Sequence, residues 1–184
     1  LAVTFSEAVY NTNGGSGALE VGDFVFSITL GTATLSSTTP SSISISGNVY
    51  TLGIGLSGNP DGDELLVVNP VDDSIYDATG NEASTSQSNN TVYLNDKVVP
   101  IITSVALASD NSTIAVTFSE AVYNATGGSG ALEVGDFGFS ITGGTATLTS
   151  TTPSSISISG NVYTLGITLT GTPDGSEVLT VSPK

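Results

Sequence analysis

The chain repeats itself. The run LAVTFSEAVYN, Leu1–Asn11, returns as IAVTFSEAVYN, Ile114–Asn124, with an offset of 113 residues. From Leu1/Ile114 to Pro70/Pro183 the copies align without a gap, and 57 of 70 positions are identical. A fold written this way must close within one period and remain usable in series. A period of about 113 residues suits a β-sandwich with its own core. The expected organisation is a first repeat at 1–95, a linker at 96–100 and a second repeat at 101–184. The phase leaves the first repeat without a counterpart of Ile101–Ala108, and the second without the crossing segment and final strand. Each is expected to carry an uncovered edge, open to strand addition from another chain.

The local pattern is of period two. Ile114, Val116 and Phe118 alternate with Ala115, Thr117 and Ser119, which predicts a strand with one buried face, and Leu1–Glu7 continues the same strand in the first copy. Further strands are predicted at Phe24–Leu30, Thr32–Leu35, around Ile43 and Ile45, at Val49–Leu56, Leu65–Val68, Thr91–Asn95 and Ile101–Ala108. Turns rich in Gly, Pro, Asn and Asp separate them, and no stretch pairs an amphipathic helix with credible caps. Gly53 and Gly55 inside the central run mark a bulge or a close backbone approach. Gly14, Gly15 and Gly17 lie between strands, without the following helix that a nucleotide-binding turn needs. The fold class is all-β, as tandem immunoglobulin-like sandwiches.

Composition then removes whole classes of function. Seventeen Asp and Glu stand against two basic residues, for a net charge of −15. A binder of nucleic acid or of an anionic membrane surface needs the opposite sign. There is no Cys, His, Met or Trp, so disulfides, thiolate sites and the commonest general base are excluded. Glu7 or Glu120 with Asp23 or Asp136 could pair as glycoside hydrolysis requires. No Trp, Arg or His accompanies them to grip a sugar or tune a proton donor, so no enzyme is expected. The two basic residues, Lys97 and Lys184, lie outside the strands, which argues against Lys–Asn isopeptide cross-links. The Asn-x-Ser/Thr triplets at Asn89, Asn111 and Asn124 read as turn residues. No signal peptide and no 18-residue apolar run is visible. An extracellular or cell-surface setting follows from composition and repetition.

The acids suit calcium, which takes six to eight hard oxygens. If the strands run strictly up and down, Asp96, Glu120, Asp136 and Asp174 converge on the junction between repeats. Asp77 can join them, and Asp72 with Asp73 forms a second candidate. The competing reading makes all of these turn acids that bond backbone amides. No EF-hand loop or tandem Gly/Asp nonapeptide is present.

The segments ITSVALASDNSTIAVTFSEAVYN, GDFGFSITGG and VVNPVDDSIYDATGN resemble the tandem bacterial immunoglobulin-like repeats of very large secreted surface proteins. Repeats of marine Bacteroidetes-type proteins and of cyanobacterial motility and S-layer-associated proteins are similar. VTFSEAV (Val3–Val9, Val116–Val122) and IYDATGN (Ile75–Asn81) carry the resemblance, which spans essentially the whole chain. It implies a non-catalytic structural extender of an adhesin, gliding or filament protein, in arrays that calcium often stabilises, with neighbouring repeats of the same protein as partners. The runner-up is a carbohydrate- or surface-binding module with surface glycans as partners. The third is a self-assembling fibre in which other copies complete each repeat by strand exchange. Neither nucleic acid nor membrane insertion is implied.

Overall fold

A computed structural model describes residues 1–184. The chain divides into two compact units, Leu1–Val98 and Val99–Lys184. The fold is all-β, built from antiparallel pairs, with two short 3-10 turns at Val21–Asp23 and Val134–Asp136.

The first unit contains β1 (Ala2–Thr4), β2 (Phe24–Thr29), β3 (Thr34–Leu35), β4 (Ile43–Ser46), β5 (Val49–Leu52), β6 (Leu56–Ser57), β7 (Leu65–Pro70) and β8 (Thr91–Tyr93). One sheet has the order β1-β5-β4 and another β2-β7-β8, with β3 and β6 forming a short separate ladder. Alternation decides which side chains go inward. Phe24 and Phe26 of β2, Leu66 and Val68 of β7, and Tyr50 and Leu52 of β5 share one buried cluster, with Leu19 and Ile75 sealing it from the loops. Phe5 meets Tyr50 edge-on, at 5.5 Å between centroids and 87° between planes, the geometry favoured by aromatic quadrupoles.

The second unit contains β9 (Ile102–Leu107), β10 (Thr113–Phe118), β11 (Phe137–Thr142), β12 (Thr147–Leu148), β13 (Ile156–Ser159), β14 (Val162–Gly166), β15 (Leu169–Thr170) and β16 (Val178–Pro183). Its sheet β13-β14-β10-β9 has one strand more than its counterpart in the first unit, and its β11-β16 pair has one strand fewer. Phe118 and Tyr163 repeat the edge-on pair, at 5.5 Å and 86°. Of the thirteen positions that differ between the copies, none is buried in the first unit, and only Ile114, where the first copy has Leu1, is buried in the second.

The central run Val49–Leu56 is not one strand. β5 ends at Leu52 and β6 begins at Leu56, because the chain changes partners across Gly53–Gly55. Before the break it pairs with β1 and β4, and after it with β3. At Gly53 an added Cβ would run into the hydroxyls of Ser41 and Ser42, so that glycine permits a close approach. Gly55 is less demanding. Thr168 takes its place in the second unit, and the Ser36 N–H to Gly55 carbonyl bond of 3.0 Å recurs as Thr149 to Thr168 at 2.9 Å.

One position in the first unit is strained. Leu30 has φ +64° beside Gly31 at +59°, whereas the second unit has Gly143 at +76° beside Gly144 at +60°. Two successive left-handed residues make a turn of the primed hairpin type, which disfavours a side chain with Cβ. Leu30 is also 67% exposed, so little packing offsets the strain. Leu30→Gly relieves roughly 1–2 kcal/mol of strain against an entropy penalty of about 0.5–1 kcal/mol. The net expectation is stabilisation of the first unit by about 0.5–1 kcal/mol, read as a higher midpoint in urea unfolding.

Candidate functional site

The acids of this protein are engaged one by one in turns. Among the acids singled out from the sequence, Asp77 is the fullest case. Its Oδ1 accepts the N–H groups of Thr79 and Asn81 at 2.8 Å and the Thr79 hydroxyl at 2.9 Å, and its Oδ2 accepts the Asn81 amide at 2.7 Å. The Asn81 bonds, outweighing partial desolvation, hold its carboxyl down at about 2. Asp174 accepts the backbone N–H and the hydroxyl of Ser176, at 2.9 and 2.6 Å. Asp96 accepts the Val98 N–H at 2.8 Å. Asp136 accepts the Glu133 N–H at 2.8 Å, repeating Asp23 with Glu20 at 2.7 Å. The N–H of Asp73 bonds to Glu82 at 2.8 Å, and its carboxylate receives the Tyr76 hydroxyl at 3.4 Å. Asp72 is exposed beside it, and Glu120, half-buried, follows the end of β10.

The expected convergence of Glu120, Asp136 and Asp174 does not form. β16 runs antiparallel to β11, with Phe137 opposite Pro183 and Thr142 opposite Val178. The Asp174 turn therefore sits at the Thr142 end of β11 and Asp136 at the Phe137 end, roughly 20 Å away at 3.4 Å per residue. The two acids line separate grooves. The strict up-and-down count fails at β12, a two-residue stub that does not amount to a full crossing and so reverses the parity of the strands after it. Within either unit, no group of three or more carboxylates gathers closely enough to hold a metal ion.

The two most heavily bonded acids, Glu64 and Glu177, are ones that sequence reasoning passed over. Glu64 is completely buried. Its Oε1 accepts the N–H groups of Thr32 at 2.9 Å and Ala33 at 2.8 Å, and Asp61 and Gly62 donate to Oε2 at 3.1 Å each. Burial pushes this carboxyl up, but the amides of Ala33, Asp61 and Thr32 together with its own pull it down to about 2. Its own carbonyl accepts Leu94 N–H at 3.0 Å, and Lys97 N–H reaches Pro60 O at 2.8 Å, so the Leu94–Lys97 stretch closes over the cradle. Gly31 leaves the space the carboxyl fills, since a Cβ there would collide with it. One ionised side chain thus ties the start of β3, the Asp61–Gly62 turn and the start of β7.

Glu177 builds the same cradle from Thr145, Ala146, Asp174 and Gly175, at 2.9, 3.0, 3.1 and 3.0 Å. The Ala146 amide is the leading cause that lowers its carboxyl to about 2. Glu177 is only half-buried, whereas Leu94–Lys97 lies over the Glu64 cradle. A signal for the pair was available. The cradle position is Glu in both copies, while the adjacent acid Asp63 becomes Ser176.

No helix is long and apolar enough to cross a membrane. No protein-family model, no curated protein and no solved structure matches the chain.

Proposed function

We propose that this chain is a non-catalytic structural extender, built of immunoglobulin-like sandwiches in series, from a long repetitive cell-surface or secreted protein. The observation that carries this reading is the repetition of the bonded framework itself. The cradles of Glu64 and Glu177, the turn locks of Asp23 and Asp136, and the Tyr50 and Tyr163 hydroxyls on the Val9 and Val122 carbonyls recur bond for bond. The differences between copies lie almost wholly outside the core. A spacer asks this of its units, since each meets the same load and environment. In this reading the acids lock turns and keep a long array soluble through like charge, with no cation required by the geometry within either unit.

The test is mechanical. Pulled from its two termini in an optical trap, the single chain is expected to lengthen in two discrete steps. Each step should release about 30 nm, at roughly 3.4 Å per residue. Gradual lengthening at low force would remove the extender reading.

A further inference from the structure

Both units leave the same strand edge open. β4 ends its sheet beside β5, and β13 ends its sheet beside β14, with no strand on the outer flank of either. This edge is the same whichever parts of the repeat surround it. The first unit includes the crossing segment 71–90 and β8, the second includes β9, and neither covers it. Ile45 is 46% exposed and Ile158 is 45% exposed. Each stands opposite a buried tyrosine, Tyr50 or Tyr163, and so lies on the core side of its sheet. They are exposed because nothing flanks them.

The hydrogen bonds say which backbone groups face outward. Ser42 O accepts Gly53 N–H at 2.9 Å, and Ser155 O accepts Gly166 N–H at 2.9 Å. By the alternation of an antiparallel ladder, Ser44 and Ser46 also bond inward to β5, and the N–H and C=O groups of Ile43 and Ile45 point out. Leu52, opposite Ile43, agrees, since its N–H goes to the other side, to Leu1 O at 2.7 Å. Ile156 and Ile158 hold the same places in the second unit. Neither β4 nor β13 carries the Lys, Pro, charge or bulge that blunts an exposed edge. The surroundings are neutral too. Residues 24–60 and 137–173 contain no charged side chain, in a protein of net charge −15.

We propose that this edge is a self-association site, and that its occupant is the same edge of a second copy of this chain, paired antiparallel about a two-fold axis at Ser44 or Ser157. The strand is its own complement. Ser42 to Ser46 reads Ser-Ile-Ser-Ile-Ser in either direction, and Ser155 to Ser159 repeats it. A two-fold interface needs a surface of this kind, in which one residue meets a second and the second meets the first. With the axis at Ser44, Ile43 lies opposite Ile45 of the second copy, and Ile45 opposite its Ile43. These are the residues whose backbone groups face outward, so each pair exchanges both of its hydrogen bonds. A shift by one residue would set free groups against groups already bonded to β5. The isoleucines meet on the core side and cover one another, and the serines align on the outer face. Two chains of high negative charge approach with least repulsion where neither carries an acid. Main-chain bonds supply affinity and the alternate side chains supply selection.

The test uses the whole 184-residue chain. Sedimentation velocity from about 10 µM to about 1 mM is expected to show a mass that rises with concentration, with Kd on the order of 100 µM. Salt at about 0.5 M, which screens the net repulsion, should strengthen the association. Over the same range hydrogen exchange is expected to slow at the amides of Ile43, Ile45, Ile156 and Ile158. Ser44 and Ser157 are exposed, and in this register each faces its counterpart. A chain with Ser44→Glu and Ser157→Glu should therefore stay monomeric, and so should a chain with Ser44→Lys and Ser157→Lys. An equimolar mixture of the two should associate again, because opposite charges now meet across the seam. The same exchanges at Ser27 and Ser140, exposed on β2 and β11, should leave association as it is. The proposal is overturned by a chain that stays monomeric throughout, or by protection at β1, β9 or β16 instead of β4 and β13. It is equally overturned if either charge variant at Ser44 and Ser157 still associates, if their mixture stays apart, or if the Ser27 and Ser140 exchanges abolish association as well. The exchange measurement on the unaltered chain is independent of whether any variant folds. The site rests on the edge of a single unit and not on the extender reading, so its failure would leave the two-step mechanical result standing.

Discussion

Glu64→Gln is expected to lower the melting temperature of the first unit by about 10 °C or more, followed by circular dichroism at pH 7. The side chain keeps its shape but exchanges one acceptor oxygen for an NH2 group. Both carboxylate oxygens of Glu64 already receive backbone N–H groups, two or more on each side. Whichever way the amide is turned, a donor faces donors, and at least one buried amide loses its partner. Glu64→Ala removes the whole acceptor and leaves four amides to find water in a site closed by Leu94–Lys97. Glu177→Gln disturbs the same bonds in a half-exposed cradle, where water can replace the lost acceptor. Its effect should be less than half as large. Equal effects in the two units would show that burial by Leu94–Lys97 does not set the cradle's importance. A neutral Glu64→Gln would remove the cradle as a structural element.

The strands and their inward faces were legible because period-two alternation is a local property. Phe24, Phe26, Tyr50 and Leu52 point to the core as the pattern of their neighbours requires. The partner change at Gly53 was half legible, since a glycine in a strand signals close approach without saying what approaches. Glu64 was legible only by setting the two copies side by side. In the string Asp61-Gly62-Asp63-Glu64 it looks like one more turn acid, and its amide partners at Thr32 and Ala33 lie about thirty residues away. The placing of Asp174 failed for a related reason. Whether β12 counts as a crossing depends on tertiary pairing with β15, and one miscounted crossing moves a turn to the opposite end of the unit.

Acid should unfold this protein along a curve with two opposed limbs. The carboxyls of Glu64, Glu177 and Asp77 lie at about 2 in the folded chain, against ordinary values of 4.5 for Glu and 3.8 for Asp. Asp110 is lowered in the same sense by Ser112. A carboxyl held below its unfolded value binds fewer protons in the folded state. The stability it contributes is complete above about pH 4.5 and is lost as the pH falls towards 2. The overall charge acts in the other direction. At neutral pH a net charge of −15 repels itself, and this repulsion fades as the pH approaches the isoelectric point near 4.1. Asp23, raised by burial, acts in that same direction. The melting temperature is therefore expected to rise modestly from pH 7 to about pH 5. It should then fall by roughly 10 °C or more between about pH 4 and pH 2.5. Salt separates the two limbs. At about 0.5 M NaCl the Debye length is only a few ångströms, so surface repulsion is screened while the amide bonds to Glu64, sealed from solvent, are not. Salt should flatten the limb above pH 5 and leave the acid limb in place, and Glu64→Gln should make the acid limb of the first unit shallower. If salt abolishes the acid limb as well, general charge governs acid stability and the cradled carboxylates do not.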